Sequence, residues 1–165
     1  MAVTKKLPQL SGGMFLTDGG IETTLIFHEG LELPHFAAFH LLRDKAGRDA
    51  LVRYYERYIE IAKRDGVGFI LESPTWRASS DWGEKLGYTR NDIAAVNRDA
   101  IALMFELRDR YRFGAPMVVS GCVGPRGDGY DPGQAMTAGE AEAYHAHQIG
   151  AFAEADADMV TAITM

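Results

Sequence analysis

The chain has 165 residues, of which 47% are hydrophobic and 24% are charged, a balance typical of a single globular domain. Its formal net charge of −6 argues against nucleic-acid binding, because proteins of that class usually carry a basic surface. No run approaches the roughly 18 apolar residues that span a bilayer, and the N-terminus lacks the apolar segment of a signal peptide. The single cysteine, Cys122, excludes an intramolecular disulfide, so we expect a cytoplasmic protein.

Four short runs are apolar on both of their faces, as expected of strands buried in a parallel sheet. They are residues 14–17, 68–71, 117–120 and 159–164. Because a parallel strand buried on both faces needs a covering helix, the last run predicts an open edge that would seek a partner.

Three longer segments with helical periodicity separate these runs. The first stops at Gly66, the second begins with Thr89 and Asp92, and the third begins with the capping-box pair Thr137 and Glu140. Their apolar stripes are Leu51, Tyr54, Tyr55, Tyr58 and Ala62; Ile93, Val96, Ala100, Ile101, Met104 and Leu107; and Ala141, Tyr144, Gln148, Ala151, Phe152 and Ala155. The alternation predicts the α/β class, built from right-handed βαβ units.

The connections after the first two strands are long. We predict a short helix near residues 35–42 and a loop over residues 75–88. Long loops after parallel strands are where barrel proteins place their functional groups.

Asp18, Gly19 and Gly20 follow the first strand. A carboxylate at the end of a strand beside two glycines can bind an ammonium group through charge-assisted hydrogen bonds. The alternative is an ordinary turn in which Asp18 caps the next helix.

Ser73 and Thr75 follow the second strand and point the same way if the strand period continues. Trp76 would then supply an apolar wall to the same site. The alternative is an ordinary loop that carries a buried tryptophan.

The third strand is followed by a glycine-rich segment that contains Gly121 and Cys122, where a ligand could approach the backbone closely. The segment lacks the Lys-Ser/Thr pair of a phosphate-binding loop. Cys122 is a candidate nucleophile or metal ligand, although a single cysteine beside an apolar strand more often serves packing.

His145 and His147 lie two residues apart and do not share a helix face. Glu142 and His145 do share one, but two ligands do not make a metal site. We therefore predict a polar helix surface here and no metal site in this chain.

Taken in order, three segments resemble the motifs of the homocysteine S-methyltransferase family. They are residues 18–25 (DGGIETTL), 73–79 (SPTWRAS) and 121–125 (GCVGP). The resemblance implies a (β/α)₈ barrel of the TIM type, of which residues 1–165 would form about the first four βα units. The whole chain would then be the N-terminal half of one barrel domain, with no separate second domain.

The resemblance also implies an activity. A small-molecule thiol similar to homocysteine, bound as a thiolate to zinc, would accept a methyl group from a small-molecule donor during methionine biosynthesis. The zinc ligands of the family come late in the chain and are absent here, so we expect residues 1–165 to be inactive alone. The substrate-binding residues implied are Asp18, Gly19, Gly20, Ser73, Thr75 and Gly121; no catalytic residue is assigned.

Two departures from the family pattern leave alternatives open. Ile163 stands where the family usually has a glutamate that binds the amino group, and Glu22 is a candidate for a displaced carboxylate. The chain is thus either a thiol methyltransferase or a relative that acts on another small amine or thiol. A third alternative is a non-catalytic half-barrel that assembles through its open edges, as a homo-oligomer.

Overall fold

The fold is described from a computed structural model that covers residues 6–129, 133 and 135–165. Its centre is a four-stranded parallel sheet in the order β1-β2-β3-β4. The strands are Phe15–Leu16 (β1), Gly68–Glu72 (β2), Met117–Val123 (β3) and Met159–Ala162 (β4). Because all four run in the same direction, their carboxyl ends meet at one edge of the sheet.

The helices alternate with the strands as predicted, which confirms the α/β class. They are α1 (Ile21–Thr23, continued by a π-helical turn over Thr24–His28), α2 (Lys45–Asp65), α3 (Ser80–Lys85), α4 (Arg90–Arg110) and α5 (Ala138–Glu154). Short 3-10 turns cover Pro8–Ser11, Pro34–Phe36 and Ala38–Arg43, the last two near the short helix expected at residues 35–42.

The helix ends follow from local chemistry. Thr89 with Asp92 and Thr137 with Glu140 form reciprocal capping boxes at the starts of α4 and α5, as predicted. Gly66 ends α2 in the left-handed conformation that glycine adopts without strain, with φ of 67°.

Several predicted boundaries were wrong. The first and last strands are shorter than their apolar runs, whereas β3 continues through Gly121 and Cys122, which we had placed in a loop. Residues 75–88 also contain the six-residue helix α3, which buries Trp82. A helix this short gives too few turns for an apolar period to show in the sequence.

The main core lies between the sheet and helices α2 and α4. Phe69, Leu71 and Val119 on the strands are fully buried, as are Ile59 of α2 and Ile101 of α4. These side chains point away from the face that carries Glu72 and Cys122, because successive residues of a strand point to opposite faces. Within the described part of the chain, no helix is both long and apolar enough to cross a membrane.

Candidate active site at the carboxyl edge of the sheet

A cavity of about 620 Å³ lies at the carboxyl ends of the strands. Asp18 and Gly19 line it after β1, Glu72 and Ser73 line it at the end of β2, and Cys122 lines it from β3. Thr161 and Ile163 close the side next to β4, and Phe36 covers it from the segment between α1 and α2. The parallel order of the strands therefore brings residues that are far apart in sequence into one site.

Four carboxyl side chains line this cavity: Asp18, Glu22, Glu72 and Asp128. Burial raises the pKa of Asp18 to about 7, and the nearby Glu72 contributes to the rise. Burial also raises the pKa of Glu72 and of Glu22. One carboxylate oxygen of Glu72, Oε2, is buried with no hydrogen-bond partner among the described residues. Burial therefore makes the ionised forms of Asp18, Glu22 and Glu72 less favourable here than in water.

Two tyrosines of α2 support the acidic wall. The Tyr54 hydroxyl lies 2.8 Å from Asp18 Oδ2 and 2.9 Å from the Gly19 carbonyl oxygen, and it can donate its proton to either. The Tyr55 hydroxyl donates to the Glu72 carbonyl oxygen at 2.7 Å. The alternative interpretation, in which Asp18 caps the next helix, was wrong. Gly20 occupies the cap position, and no side chain donates or accepts a capping hydrogen bond there.

Ser73 and Thr75 do point the same way, but they differ in access. Their hydroxyl oxygens lie 2.6 Å apart, and Thr75 donates to the Cys122 carbonyl oxygen at 2.8 Å. The Cys122 amide in turn donates to Ser73 Oγ at 3.0 Å. Ser73 lines the cavity, whereas Thr75 is fully buried behind it. These bonds tie the end of β2 to β3.

Two side-chain amides from the helices hold the loop after β2. Gln148 of α5 donates to the Thr75 carbonyl oxygen at 2.8 Å and to Asn97 Oδ1 at 3.1 Å. Asn97 of α4 donates to the Ala78 carbonyl oxygen at 2.8 Å. Both amide side chains are almost fully buried, so the loop that carries Trp76 and Arg77 is anchored at both ends.

The two glycines of the third motif are required by close approach. A Cβ atom on Gly121 would lie 2.3 Å from the Phe152 ring, so this glycine faces α5 and not the cavity. A Cβ on Gly124 would lie 2.3 Å from the Trp76 carbonyl oxygen. The close approach that we predicted for a ligand is thus made by the protein itself.

Arg77 is the only lysine or arginine among the described residues that line the cavity. Its guanidinium carbon lies over two indole rings, 4.1 Å from the Trp76 centroid and 3.9 Å from the Trp82 centroid. Trp76 Nε1 donates to the Ile163 carbonyl oxygen at 3.0 Å, which links the loop to the segment after β4. Trp76 therefore forms part of the wall, as predicted.

Cys122 is poorly suited to act as a thiolate or as a metal ligand. Burial raises the pKa of its thiol far above the usual value, and Glu72, Glu22 and Asp18 raise it further. Within the described ranges, no three His, Cys, Asp or Glu side chains are grouped so that they could hold a metal ion. The residues present do not fit the zinc that the family resemblance implies.

His145 does not lie on a polar helix surface, so that prediction was wrong. The side chain is buried, and neither ring nitrogen has a hydrogen-bond partner among the described residues. Burial lowers its pKa and favours the neutral ring. His147 is only half-buried and lies outside the cavity.

Of the six predicted substrate-binding residues, four line the cavity and two do not. Asp18, Gly19, Gly20 and Ser73 are brought together, whereas Thr75 and Gly121 lie behind the wall. Their roles as substrate contacts stay predictions. Sequence reasoning overlooked Glu72 and Arg77; the signal for Glu72 was a carboxylate that ends an otherwise apolar strand.

Comparison with known proteins agrees with this architecture. Residues 15–165 match the family model described as Homocysteine S-methyltransferase, while no curated protein sequence matches significantly. Among solved structures, the chain is similar to the metallated form of the homocysteine methyltransferase MmuM from Escherichia coli. The TM-score is 0.72 at 19% identity, over 96% of this chain and 56% of that chain.

The oxidized form of the same enzyme gives a TM-score of 0.76 at 20% identity, over 94% of this chain and 55% of that chain. The chain thus spans just over half the length of these structures, and identities this low show the fold alone. The prediction of part of a barrel-type α/β fold is confirmed.

Proposed function

Because the chain belongs to the homocysteine S-methyltransferase family, we propose that it binds a homocysteine-like amino thiol as the acceptor of a methyl group. The observation that carries the proposal is the acidic wall of the cavity, at the carboxyl edge where α/β proteins bind small molecules. The methyl donor would be a second small molecule. Asp18 is the residue to which we assign the amino group of the acceptor.

The electrostatics of the wall support this assignment. Asp18 and Glu72 are near enough for Glu72 to raise the pKa of Asp18, and burial raises the pKa of both. A ligand ammonium beside them would replace part of the solvation that burial removes and would favour their ionised forms. A bound ammonium would therefore supply the favourable electrostatic interaction that Asp18 and Glu72 lose when folding removes them from water.

The methyl-transfer step is not assigned to these residues. In the family, zinc supplies the thiolate form of the acceptor, but the described residues do not form a site for it. Cys122, the one cysteine, keeps its proton in this acidic surrounding. We therefore propose that residues 1–165 bind the acceptor and position its amino group, and that they do not transfer the methyl group alone.

Calorimetric titration of the protein with L-homocysteine at pH 8 tests the proposal. We expect saturable binding that Asp18→Asn weakens by about thirtyfold or more, the usual effect of removing one partner of a desolvated charge pair (about 2 kcal/mol or more). Binding should also weaken from pH 8 to pH 6, because Asp18, with a pKa of about 7, takes up a proton. Asp65→Asn, at the exposed end of α2, is the matched control and should leave binding unchanged.

Saturable binding that neither Asp18→Asn nor the lower pH weakens would contradict the assignment of the amino group. Absence of homocysteine binding to the wild-type protein would contradict the substrate itself.

A second substrate class is favoured by one observation. Ile163 lines the cavity from the side of β4, where its side chain offers no charge to an amino group. If homocysteine fails to bind while an amine without a thiol binds and protects the protein against thermal unfolding, the chain is a family relative with a different acceptor.

A further inference from the structure

Arg77 is a buried residue of the cavity wall and belongs to a loop that is held in place by hydrogen bonds. It is 6% exposed, it is the cavity's only described lysine or arginine, and it belongs to the loop anchored by Gln148 and Asn97. Its guanidinium carbon lies over two indole rings, those of Trp76 and Trp82, and these contacts restrict its movement. A rigid, oriented guanidinium is the usual means of recognising a planar anion.

Of the Arg77 donors, Nη1 already has a hydrogen-bond partner and Nε does not. Nη1 donates to the Gly127 carbonyl oxygen at 2.9 Å. Nε is buried without a hydrogen-bond partner in the described part of the chain. Nε and Nη2 form the edge that binds carboxylates side-on, so the unpartnered Nε leaves a donor on that edge for a carboxylate.

The surroundings of Arg77 favour a ligand with two charges. Burial lowers the pKa of Arg77 and disfavours its charged form, whereas Asp128 and Glu22 favour that form electrostatically. A simple anion would be repelled by Asp18, Glu22 and Glu72, which line the same cavity. An amino acid zwitterion would place its ammonium beside that acidic wall and its carboxylate beside the guanidinium.

We infer that Arg77 binds the carboxylate of an amino acid ligand and thereby selects amino acids over simple amines. The inference rests on the proposed function, because it assumes that the ammonium of the same ligand is bound by the acidic wall. It adds a specificity-determining residue on the loop after β2, opposite in charge to Asp18 and Glu72.

Two ligand pairs that differ only by a carboxylate test the role of Arg77. L-Homocysteine is compared with 3-aminopropane-1-thiol, and L-2-aminobutyrate is compared with propylamine, by calorimetric titration at pH 8. A charge-assisted pair contributes about 1.5–3 kcal/mol, so the wild-type protein should bind each amino acid about tenfold or more tightly than its amine. In Arg77→Met the two affinities of each pair should become nearly equal.

Two further variants separate recognition from folding. Arg77→Lys keeps the charge but loses the planar fork, so it should retain only part of the preference for the amino acid. Lys85→Met is the matched control, because the Lys85 ammonium lies 3.9 Å over the Trp82 ring but Lys85 does not line the cavity. This control should leave both preferences unchanged, and thermal unfolding of each variant checks that it is folded.

The outcomes distinguish this inference from the proposed function. If both amino acids bind and Arg77→Met leaves their preference over the amines intact, the role of Arg77 is wrong while the proposed function stands. If 2-aminobutyrate shows the preference and homocysteine does not bind, Arg77 keeps its role and the thiol acceptor is wrong. If neither amino acid binds the wild-type protein, both proposals are overturned.

Discussion

Strands β2 and β3 have two faces that treat polar groups differently. On the helix-facing side, Phe69, Leu71 and Val119 lie among apolar side chains and are fully buried. On the other side, the same strands present Glu72 and Cys122 to the cavity. The first face gains free energy by removing apolar surface from water, whereas the second holds groups that would be more favourably solvated in the unfolded chain.

This difference indicates that the cavity-facing side lowers the free energy of unfolding at neutral pH. Buried carboxylates whose pKa is raised make the folded state less stable at neutral pH, because the unfolded chain ionises more readily. Groups that reduce stability in this way are common at sites that bind ligands. Variants on the two faces should therefore respond to pH in different ways.

The largest decrease in the free energy of unfolding is expected for a substitution on the helix-facing side of the sheet. Phe152→Ala removes a fully buried ring that lies against Gly121, and the loss should be about 3–5 kcal/mol in the free energy of unfolding. Because no titrating group is changed, urea unfolding should give the same loss at pH 5 and at pH 8. A loss that varies strongly between the two pH values would show that the two faces are not separate.

A substitution in the cavity is expected to raise the free energy of unfolding instead of lowering it. Asp18→Asn should stabilise the protein at pH 8, by up to about 4 kcal/mol, because the pKa rises from 3.8 to about 7 on folding. Stability from the protonated carboxyl of the wild type is fully present below pH 3.8 and is lost as the pH rises through about 7. The advantage of the variant should therefore shrink as the pH falls from 8 and vanish below about 4.

Urea unfolding of both proteins across this pH range measures the difference. Asp65→Asn provides the reference, since an exposed aspartate at the end of α2 should give no comparable gain at pH 8. A gain for Asp18→Asn that persists unchanged at low pH would mean that burial of its charge is not the cause.

A smaller decrease in the free energy of unfolding is expected at the buried amides that hold the loop after β2. Gln148→Met keeps the length of the side chain but removes the donor to the Thr75 carbonyl oxygen, which should lower the free energy of unfolding by about 1–3 kcal/mol. The exposed neighbour Ile149, changed to Met, controls for the new side chain. Asn97→Leu should be non-additive with Gln148→Met in a double-mutant cycle, because the two amides share a hydrogen bond.

The helix boundaries were largely predictable from sequence, and the reason is local. The capping boxes at Thr89 and Thr137 and the stop at Gly66 depend on bonds within a few residues, which a sequence displays directly. The length of β3 was not predictable in the same way. Gly121 signals a turn locally, but in the structure it accommodates the Phe152 ring from a helix that comes later in the chain.

The candidate site divides along the same line. The residues Asp18, Gly19, Gly20 and Ser73 could be found from motifs, because polar groups directly after buried strands collect at one edge of a parallel sheet. The motifs could not show which of the neighbouring residues face the cavity, and Thr75 and Gly121 lie behind its wall. A sequence records neighbours along the chain, whereas facing across a cavity depends on strands that pair over long separations.

By itself, then, the sequence determined the alternation of strands and helices, the helix caps and the order of motifs that marks the family. These depend on short-range periodicity and on bonds between near neighbours. Only the tertiary structure decided that Glu72 joins Asp18 in one acidic wall and that Arg77 lies buried against two indole rings. Charge effects of this kind act through space and depend on burial, which no stretch of sequence contains.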